Sequence, residues 1–191
     1  MLPKPVKVFL RDWQETKLYA DLKKEFDYVT EYKEKSRFVG FNYDPTFVTT
    51  DAVVVARGHV LVVRRGHQPG LGQLALPGGF LASGARLKDN CIKELHEETK
   101  INIDSSLLRR AIKAQEVFDD PDRSQRGRTI THAFYIELYP KLEDGLPLVK
   151  GGDDAAKAFW LPISALGDVE HEFFEDHYDI IRYFLDSPRG E

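Results

Sequence analysis

Sulfur-containing residues are almost missing from this sequence. The chain of 191 residues has one methionine and one cysteine, Cys91. A single cysteine excludes a disulfide bond within the chain and is typical of a reducing compartment. We therefore expect a cytoplasmic protein in which Cys91 packs inside a helix.

Long apolar segments are missing as well. No apolar run approaches the roughly 20 residues of a membrane-spanning helix. The first residues, MLPKPVKVFLRDW, lack the uninterrupted apolar region of a secretory signal peptide. We expect no membrane partner.

The sequence also has no excess of basic residues. Its 27 Lys and Arg are outnumbered by 31 Asp and Glu, which gives a net charge of −4. Nucleic acids and anionic membranes are usually bound by a basic surface, so this balance argues against both. The length suffices for one domain with a core and a modest extension.

Residues 1–45 differ from the rest of the chain and form a predicted N-terminal extension. The segment 12–35 is rich in Glu, Lys, Leu, Phe and Tyr, and apolar residues recur at helical spacing at Leu18, Leu22 and Phe26. This pattern predicts one or two helices that pack on the domain or on a partner subunit. Residues 46–191 form the predicted main domain.

Several β-rich runs follow the extension. Runs 47–55 and 59–65, separated by Ala-Arg-Gly, predict a hairpin. We expect further strands at 107–118, 129–139 and 158–161, then a turn with a short helix at 162–166. An amphipathic helix is expected at 171–185, with a buried stripe formed by Phe174, Tyr178, Ile181 and Phe184. This order of elements suggests an α/β (α+β) fold with a mixed sheet between helices.

A glycine turn followed by an acidic helix is the most informative stretch. It covers residues 76–101 and reads LPGGFLASGARLKDNCIKELHEETKI. Helix positions i, i+3 and i+4 share a face, which places Glu94, Glu97 and Glu98 together. Such a face is usually only a solvated surface. Close carboxylates repel one another, however, and Mg²⁺ or Mn²⁺ prefer carboxylate oxygen, so the glycine turn at a fixed distance upstream favours a metal site.

This stretch resembles the Nudix box, in which Gly, five residues, Glu, seven residues and Arg-Glu-hydrophobic-x-Glu-Glu-x-Gly-hydrophobic follow in order. Gly79 opens the pattern and residues 93–101 close it at the right spacing. The resemblance implies an α/β/α sandwich and hydrolysis of a nucleoside diphosphate linked to another group. Three positions depart from the pattern, because Ala85 replaces Glu, Lys93 replaces Arg and Lys100 replaces the final Gly. These departures leave the fold and metal binding in place and put the turnover rate in question.

Segments around the box are similar to Nudix domains that handle ADP-ribose, including the Nudix half of bifunctional nicotinamide-mononucleotide adenylyltransferase/ADP-ribose pyrophosphatases. They are FVTTDAVVV, HVLVVRRGHQPGLGQLALPGGF, RGRTITHAFYIEL, KGGDDAAKAFW and EDHYDII. The resemblance implies Mg²⁺-dependent hydrolysis of ADP-ribose to AMP and ribose 5-phosphate. Two alternatives stay open, a weak or inactive ADP-ribose sensor and a hydrolase of another dinucleotide such as NADH. Related enzymes build their sites across two subunits, which suggests a homodimer.

Cationic and aromatic residues supply candidates for substrate binding. Arg126 and Arg128 lie in a loop that also contains Arg123, and guanidinium groups suit phosphate oxygens, although neighbouring aspartates could neutralise this loop. Strand alternation sends one of Arg64 and Arg65 inward, and we take Arg65 as the ligand residue. We also include Gly78, for backbone contact, and Phe118, for stacking on adenine, although core packing explains Phe118 equally well. A structural role is favoured for His132.

The resemblance implies a metal site formed by the side chains of Glu94, Glu97 and Glu98 and the carbonyl of Gly79. These glutamates are also the candidate catalytic residues. ADP-ribose pyrophosphatases often take their general base from a mobile loop outside the box. Four acids near that loop are candidates for the general base, namely Glu116, Asp119, Asp120 and Asp122. Their spacing does not distinguish between them, and we take Asp120 as the candidate.

Overall fold

Seven strands and four α-helices make up the described part of the molecule. This computed structural model describes residues 13–36, 45–141, 144–152 and 155–187. The α-helices are α1 (Lys17–Ser36), α2 (Leu87–Thr99), α3 (Ser105–Arg110) and α4 (His177–Asp186), with a 3-10 helix at Ile163–Glu172 before α4. The strands are β1 (Phe47–Ala56), β2 (His59–Arg65), β3 (Leu74–Ala75), β4 (Gly78–Phe80), β5 (Ile112–Phe118), β6 (Thr129–Leu138) and β7 (Ala155–Pro162).

The strands form one mixed sheet in the order β3-β2-β1-β6-β5, while β4 also pairs with β1 and β7 also pairs with β2. Strands β1 and β6 run parallel over their full ten residues, from Phe47 opposite Thr129 to Ala56 opposite Leu138. The other pairs are antiparallel. Strand β1 therefore lies at the centre of the sheet.

Alternate residues of β1 enter two separate cores. Val53 packs in the core that contains Ile180 and Ile181 of α4. Val54 packs in the core that contains Ile92 and Leu95 of α2. Both faces of the sheet are thus covered by helices, which explains why β1 reads as a continuous apolar run. The predicted sandwich of helices around a mixed sheet is confirmed.

The predicted hairpin between β1 and β2 is also present. Ala56 pairs with His59, and the two residues between them, Arg57 and Gly58, have φ values of 48° and 72°. Two consecutive positive φ values form the tight turn whose twist matches antiparallel strands.

Two expected elements are present but start later than the sequence suggested. The strand expected at 107–118 begins only at Ile112, because residues before it form α3. The side chain of Asp104 accepts a hydrogen bond from the Ser106 N–H at 2.7 Å and so caps this helix. This places Leu108 in the core, while Leu107 stays 51% exposed.

The helix expected at 171–185 begins only at His177. The backbone N–H of Phe174 donates to the carbonyl of Leu74 at 2.8 Å, so Phe174 is tied to β3 instead of to a helical turn. Glu175 has a φ of 47°, which interrupts any right-handed helix. Phe174 is buried as expected, but from an irregular segment.

Helix α1 confirms the helical character of the N-terminal region and packs on the domain at its loops. The Glu25 carboxylate accepts a hydrogen bond from the Gly70 N–H at 2.8 Å, and the Tyr32 ring lies 5.9 Å from the Phe47 ring. The apolar residues used to predict the helix face solvent instead, with exposures of 61%, 51% and 71% for Leu18, Leu22 and Phe26. Residues 1–12 and 37–44 lie outside the described residues. None of the described helices has the length and apolarity needed to cross a membrane.

Candidate functional site

The site begins where the glycine turn meets the centre of the sheet. Strand β4 pairs with β1 so that Gly78 lies opposite Asp51. A Cβ atom at Gly78 would overlap the Asp51 carboxylate and the Thr50 carbonyl oxygen, and one at Gly79 would lie 2.7 Å from Glu94 Oε2. Gly78 needs bare backbone because it approaches the Thr50 main chain, whereas a Cβ at Gly79 would meet only the end of the Glu94 side chain.

Helix α2 is anchored to the same turn by Asn90, which is fully buried. Its Oδ1 accepts a hydrogen bond from the Ala82 N–H at 3.0 Å, and its Nδ2 donates to Thr50 Oγ1 at 2.9 Å and to the Phe80 carbonyl at 3.2 Å. The next two turns bury Ile92, Leu95 and Thr99, as the sequence predicted. The helix therefore has a fixed rotation, with its acidic side chains outside the core.

Two of the three box glutamates point toward the glycine turn. Glu98 Oε2 accepts a hydrogen bond from the Gly78 N–H at 3.0 Å, and Glu94 lies against Gly79. Glu97 instead pairs with Lys93 on the outer side of the helix, at 2.5 Å from its Nζ. Lys93 also lies 3.3 Å from Glu94 Oε1.

Burial gives two carboxyl groups at this point an unusual proton affinity. Burial raises the pKa of Glu98 to about 8, and the nearby charges of Glu94 and Asp51 act in the same direction, against the Gly78 hydrogen bond. Burial also raises the pKa of Asp51 to about 6, although the Thr131 hydroxyl and Arg123 oppose it. Crowded, desolvated carboxylates are what a divalent cation relieves.

The donor set fits a hard divalent cation in part. Among the described residues, no group of three or more His, Cys, Asp or Glu side chains converges on one point. An ion held by Glu94 and Glu98 would complete its coordination with a backbone carbonyl, with water and with phosphate oxygens. Mg²⁺ commonly binds proteins in this manner, through one or two carboxylates.

A pocket adjoins Glu98 and brings together several predicted residues and several that the sequence did not single out. The predicted residues in its wall are Arg65, Gly78, Gly79, Glu98 and Arg126. The additional ones include Asp51, Arg123, Phe174 and His177. Acidic and basic groups thus face one another across a small space.

The ring of Phe174 supports two of the pocket arginines. The guanidinium carbon of Arg65 lies 4.1 Å from the ring centroid and that of Arg126 lies 5.6 Å from it. Such cation–π contacts orient a guanidinium group without consuming its hydrogen-bond donors. Arg64 points away and donates to the Gly72 carbonyl and to Glu172. The structure therefore places Arg65, and not Arg64, in the pocket wall.

Five predicted site residues lie outside this pocket wall, and of these Glu94 still lies against Gly79. Phe118 packs edge-on against Tyr183 and Phe184 of α4, with ring centroids 5.3 Å and 6.2 Å away. The Arg128 side chain donates to the Asp119 carbonyl in an exposed loop.

The acids considered as general bases lie in the same exposed region. Asp120 accepts a hydrogen bond from the Asp122 N–H at 2.8 Å, and Glu116 accepts one from the Tyr183 hydroxyl at 2.7 Å. Asp120, like Glu97, Phe118 and Arg128, does not line the pocket that contains Glu98. The roles assigned to these four residues therefore remain predictions.

His177 is the clearest residue that sequence reasoning missed. Its Nδ1 accepts a hydrogen bond from the Leu76 N–H at 3.0 Å, so any proton of the neutral ring is on Nε2. Burial, together with Arg123, Arg65 and Arg126, holds the pKa of His177 well below its ordinary value. The sequence did contain one signal for it, because Asp176 is a residue type typical of the position before a helix and so could have placed His177 at a helix start.

Comparison with known proteins identifies the family of the domain that carries this site. The NUDIX domain family model matches residues 45–184. The chain belongs to the Nudix family. This confirms the family assignment made from the box.

Relatives of this Nudix domain include ADP-ribose pyrophosphatases. A bifunctional NMN adenylyltransferase/ADP ribose pyrophosphatase from Francisella tularensis, crystallised with AMP and a manganese ion, is 38% identical with a TM-score of 0.86. The match covers 93% of this chain and 52% of that one, so the chain spans about half the length of this relative. An ADP-ribose pyrophosphatase from Methanocaldococcus jannaschii is 28% identical over 143 residues, which is 75% of each protein.

A further solved structure shares the fold. The NUDIX domain of Shewanella oneidensis NrtR, in complex with ADP ribose, is 21% identical with a TM-score of 0.59. The match covers 82% of this chain and 96% of that one.

The departures from the Nudix box now have a structural context. Lys100 ends α2 with a φ of 47°, and its N–H donates to the His96 carbonyl. This is the left-handed helix cap that glycine adopts most easily, which explains why the family has glycine here. Ala85 occupies the family's acidic position and cannot pair with Lys93, which instead pairs with glutamates of its own helix.

Proposed function

We propose that this Nudix enzyme hydrolyses the diphosphate bond of ADP-ribose, with Mg²⁺ or Mn²⁺ as cofactor, to give AMP and ribose 5-phosphate. One observation carries the proposal: the Glu98 carboxyl group and the Arg65 and Arg126 side chains line the same pocket beside the glycine turn. A diphosphate needs a cation-binding acid and cationic side chains at close range. The relatives from Francisella and Methanocaldococcus are ADP-ribose pyrophosphatases, which supports ADP-ribose as the substrate.

The residues have distinct roles in this proposal. Glu94 and Glu98 hold the metal together with the Gly79 carbonyl, and Glu97 joins them only if it leaves Lys93. A bound divalent cation neutralises the diphosphate and lowers the pKa of an attacking water. Arg65 and Arg126, oriented by Phe174, bind phosphate oxygens and align the substrate for in-line attack. Asp120 is the candidate for the general base, brought in from its exposed loop.

The test is hydrolysis of ADP-ribose by purified protein with Mg²⁺, with AMP and ribose 5-phosphate measured by chromatography. Glu98→Gln keeps the shape of the side chain and is expected to lower kcat by about 100-fold or more, as removal of a major electrostatic group does. Glu170→Gln, on the exposed 3-10 helix, is the matched control and leaves kcat unchanged. Near-normal turnover by Glu98→Gln would contradict the proposed site.

Glu97→Gln tests whether the metal is bound by Glu94 and Glu98 alone or also by Glu97. If Glu97 binds the metal directly, kcat falls nearly as far as in Glu98→Gln. If Glu97 stays paired with Lys93, as in this structure, kcat changes only a few-fold.

A second candidate function is an ADP-ribose sensor that binds without turnover. The observation that favours it is the pairing of Lys93 with Glu94 and Glu97, which engages carboxylates that the metal also needs. Calorimetric binding of ADP-ribose without AMP formation would support the sensor. Comparing ADP-ribose with NADH and other dinucleotides then decides the preferred substrate.

A homodimer is the assembly that we propose. Helix α1 exposes Leu18, Leu22 and Phe26, and Leu71 beside it is 58% exposed. A second copy of the chain would cover this apolar face, next to the loop that follows the pocket arginine Arg65. Light scattering is expected to give the mass of a dimer for the wild type and of a monomer for a Leu22→Glu, Phe26→Glu variant. Lys24→Glu is the control on the same helix, and a monomeric wild type would contradict the proposal. Location in the cytoplasm remains a prediction from the single cysteine.

A further inference from the structure

Four consecutive side chains, residues 174–177, lie at or beside the pocket; they begin in the irregular segment between the 3-10 helix and α4. Phe174 supports Arg65 and Arg126, and His177 binds the Leu76 N–H. The two residues between them, Glu175 and Asp176, both contact the loop that contains Arg123 and Arg126.

Asp176 binds Arg123 with two hydrogen bonds. Arg123 Nε donates to Asp176 Oδ2 at 2.8 Å, and the terminal NH2 nitrogen donates to Oδ1 at 2.7 Å. The Arg123 side chain is only 3% exposed. A buried guanidinium group is costly unless a partner compensates its charge, and a bidentate carboxylate does this with fixed geometry. Two of the donors of Arg123 are therefore committed to Asp176.

Glu175 fixes the next part of the loop. Its Oε1 accepts hydrogen bonds from the Ser124 hydroxyl at 2.9 Å and from the Gln125 N–H at 3.0 Å. Its side chain is 4% exposed, and it adopts the left-handed backbone conformation that places it there. Both acids thus clamp residues 123–125 onto the pocket.

Arg126, directly after the clamped residues, is held differently. Its NH2 nitrogen lies 3.6 Å from Glu175 Oε2, which is beyond hydrogen-bond range, and that buried Oε2 has no hydrogen-bond partner among the described residues. Phe80 and Phe174 contact the Arg126 guanidinium group through their ring faces, at 5.1 Å and 5.6 Å. Arg126 Nε donates to the Ser124 hydroxyl at 3.4 Å, so the contacts that orient Arg126 leave its terminal nitrogens available.

We propose that Asp176 and Glu175 are positioning residues, which give Arg123 a structural role and leave Arg126 to bind the ligand. Arg123, locked by Asp176, anchors the loop and does not contact the ligand. Arg126 is the arginine of this loop that binds the diphosphate. The inference deepens the proposed function, since it concerns how the same site holds a diphosphate.

A double-mutant cycle on the buried pair tests the role of Arg123. Arg123→Gln and Asp176→Asn each leave one buried charge without its partner, so each lowers the Tm. The Arg123→Gln, Asp176→Asn double variant restores the net charge of the wild-type pocket and allows an amide pair, so its Tm exceeds that of either single variant.

Ligand affinity gives the readout that a purely structural role would not move. The probe is inorganic pyrophosphate, titrated by calorimetry in metal-free buffer, because it reports the diphosphate subsite whatever the nucleotide. Arg126→Gln is expected to weaken pyrophosphate binding at least tenfold, and to lower the Tm somewhat because the buried Glu175 carboxylate loses a nearby cation. Arg123→Gln also weakens binding, because the pocket loses a positive charge, and the double variant returns to within about threefold of wild type, as its charge balance is restored.

Each contrary outcome has a clear meaning. If the double variant recovers its Tm but binds pyrophosphate as weakly as Arg123→Gln, then Arg123 is itself a ligand and the inference is wrong. Pyrophosphate binding that does not depend on Arg126, or no pyrophosphate binding by the wild type, would also overturn it. If pyrophosphate binds as described but ADP-ribose is not cleaved, the inference stands and the proposed function fails.

Discussion

Leu76 and His177 join two segments that lie 101 positions apart in the chain, since the backbone N–H at the start of the glycine turn donates to the imidazole Nδ1 at the start of α4. This bond requires a histidine whose Nδ1 is unprotonated. The ring is buried, and the arginines of the pocket, Arg65, Arg123 and Arg126, disfavour a second proton. Neutral His177 is therefore part of the folded state.

Stability is expected to depend on pH through this residue. In the unfolded chain His177 takes up a proton below its ordinary pKa of about 6.5, whereas the folded state resists protonation well below that pH. The unfolded state then binds more protons, so His177 lowers the free energy of unfolding as pH falls below about 6.5. Denaturation with urea at several values between pH 5 and pH 8 measures this slope.

His177→Asn isolates this contribution. Its Oδ1 can accept the Leu76 N–H, but the side chain does not titrate. Asp51 and Glu98 face the same pocket, and because their folded pKa values are raised they make stability fall as pH rises. These contributions cancel in the difference between wild type and His177→Asn. That difference should be constant above about pH 6.5 and should change in favour of the variant at lower pH; equal slopes for both proteins would show that His177 is not the cause.

Alanine at the two box glycines should have different effects. Gly79→Ala meets only the mobile end of Glu94, so the fold is retained while Glu94 is displaced from its place beside the turn. We expect kcat to fall at least tenfold with a Tm close to wild type. Gly78→Ala meets backbone at Thr50 and is expected to lower the Tm strongly. Calorimetry and hydrolysis assays compare the two, and an active Gly79→Ala enzyme would be evidence against a role for Glu94.

Lys93→Met should alter the response to metal. Lys93 pairs with Glu94 and Glu97, so the ammonium group and a divalent cation compete for the same carboxylates. Removal of the ammonium group is expected to lower the Mg²⁺ concentration for half-maximal activity several-fold. Lys88→Met, exposed on the same helix, is the control. An unchanged requirement for Mg²⁺ would mean that the pairing does not limit metal binding.

Lys100→Gly should stabilise the protein. A residue with a side chain is strained at the φ of 47° that ends α2, whereas glycine adopts it freely. The relief is about 1 kcal/mol, reduced by the greater freedom of glycine in the unfolded chain. Lys100→Ala keeps the strained backbone and should give no gain. If both variants lose stability in urea denaturation, the packing of the Lys100 side chain beside Gly152 outweighs the strain.

The sequence predicted best where local pattern and tertiary packing agree. The run 47–55 is apolar throughout because both faces of β1 are covered, and the buried face of α2 followed from helical spacing at Ile92, Leu95 and Thr99. The box also predicted a glycine turn close to the acidic helix, and in the structure the Gly78 N–H donates to Glu98. In these elements the period of the sequence alone determines which side chains are buried.

Prediction failed where a distant contact overrides the local pattern. Phe174 continues the helical period of α4, but its N–H is bonded to Leu74, about a hundred positions away in the chain. The pocket contacts of Phe174, Glu175 and Asp176 exist because this segment is not helical. Phe118 shows a second limit, since strand alternation gives its face of the sheet but not the partner on that face, which is Tyr183.

The parallel pairing of β1 with β6 has a consequence for synthesis in the cell. The central strand, residues 47–56, has its longest partner at residues 129–138. A ribosome that has delivered only the glycine turn and the acidic helix has therefore produced a chain whose middle strand still lacks this neighbour. We expect the nascent domain to remain protease-sensitive and dependent on chaperones until its final third emerges.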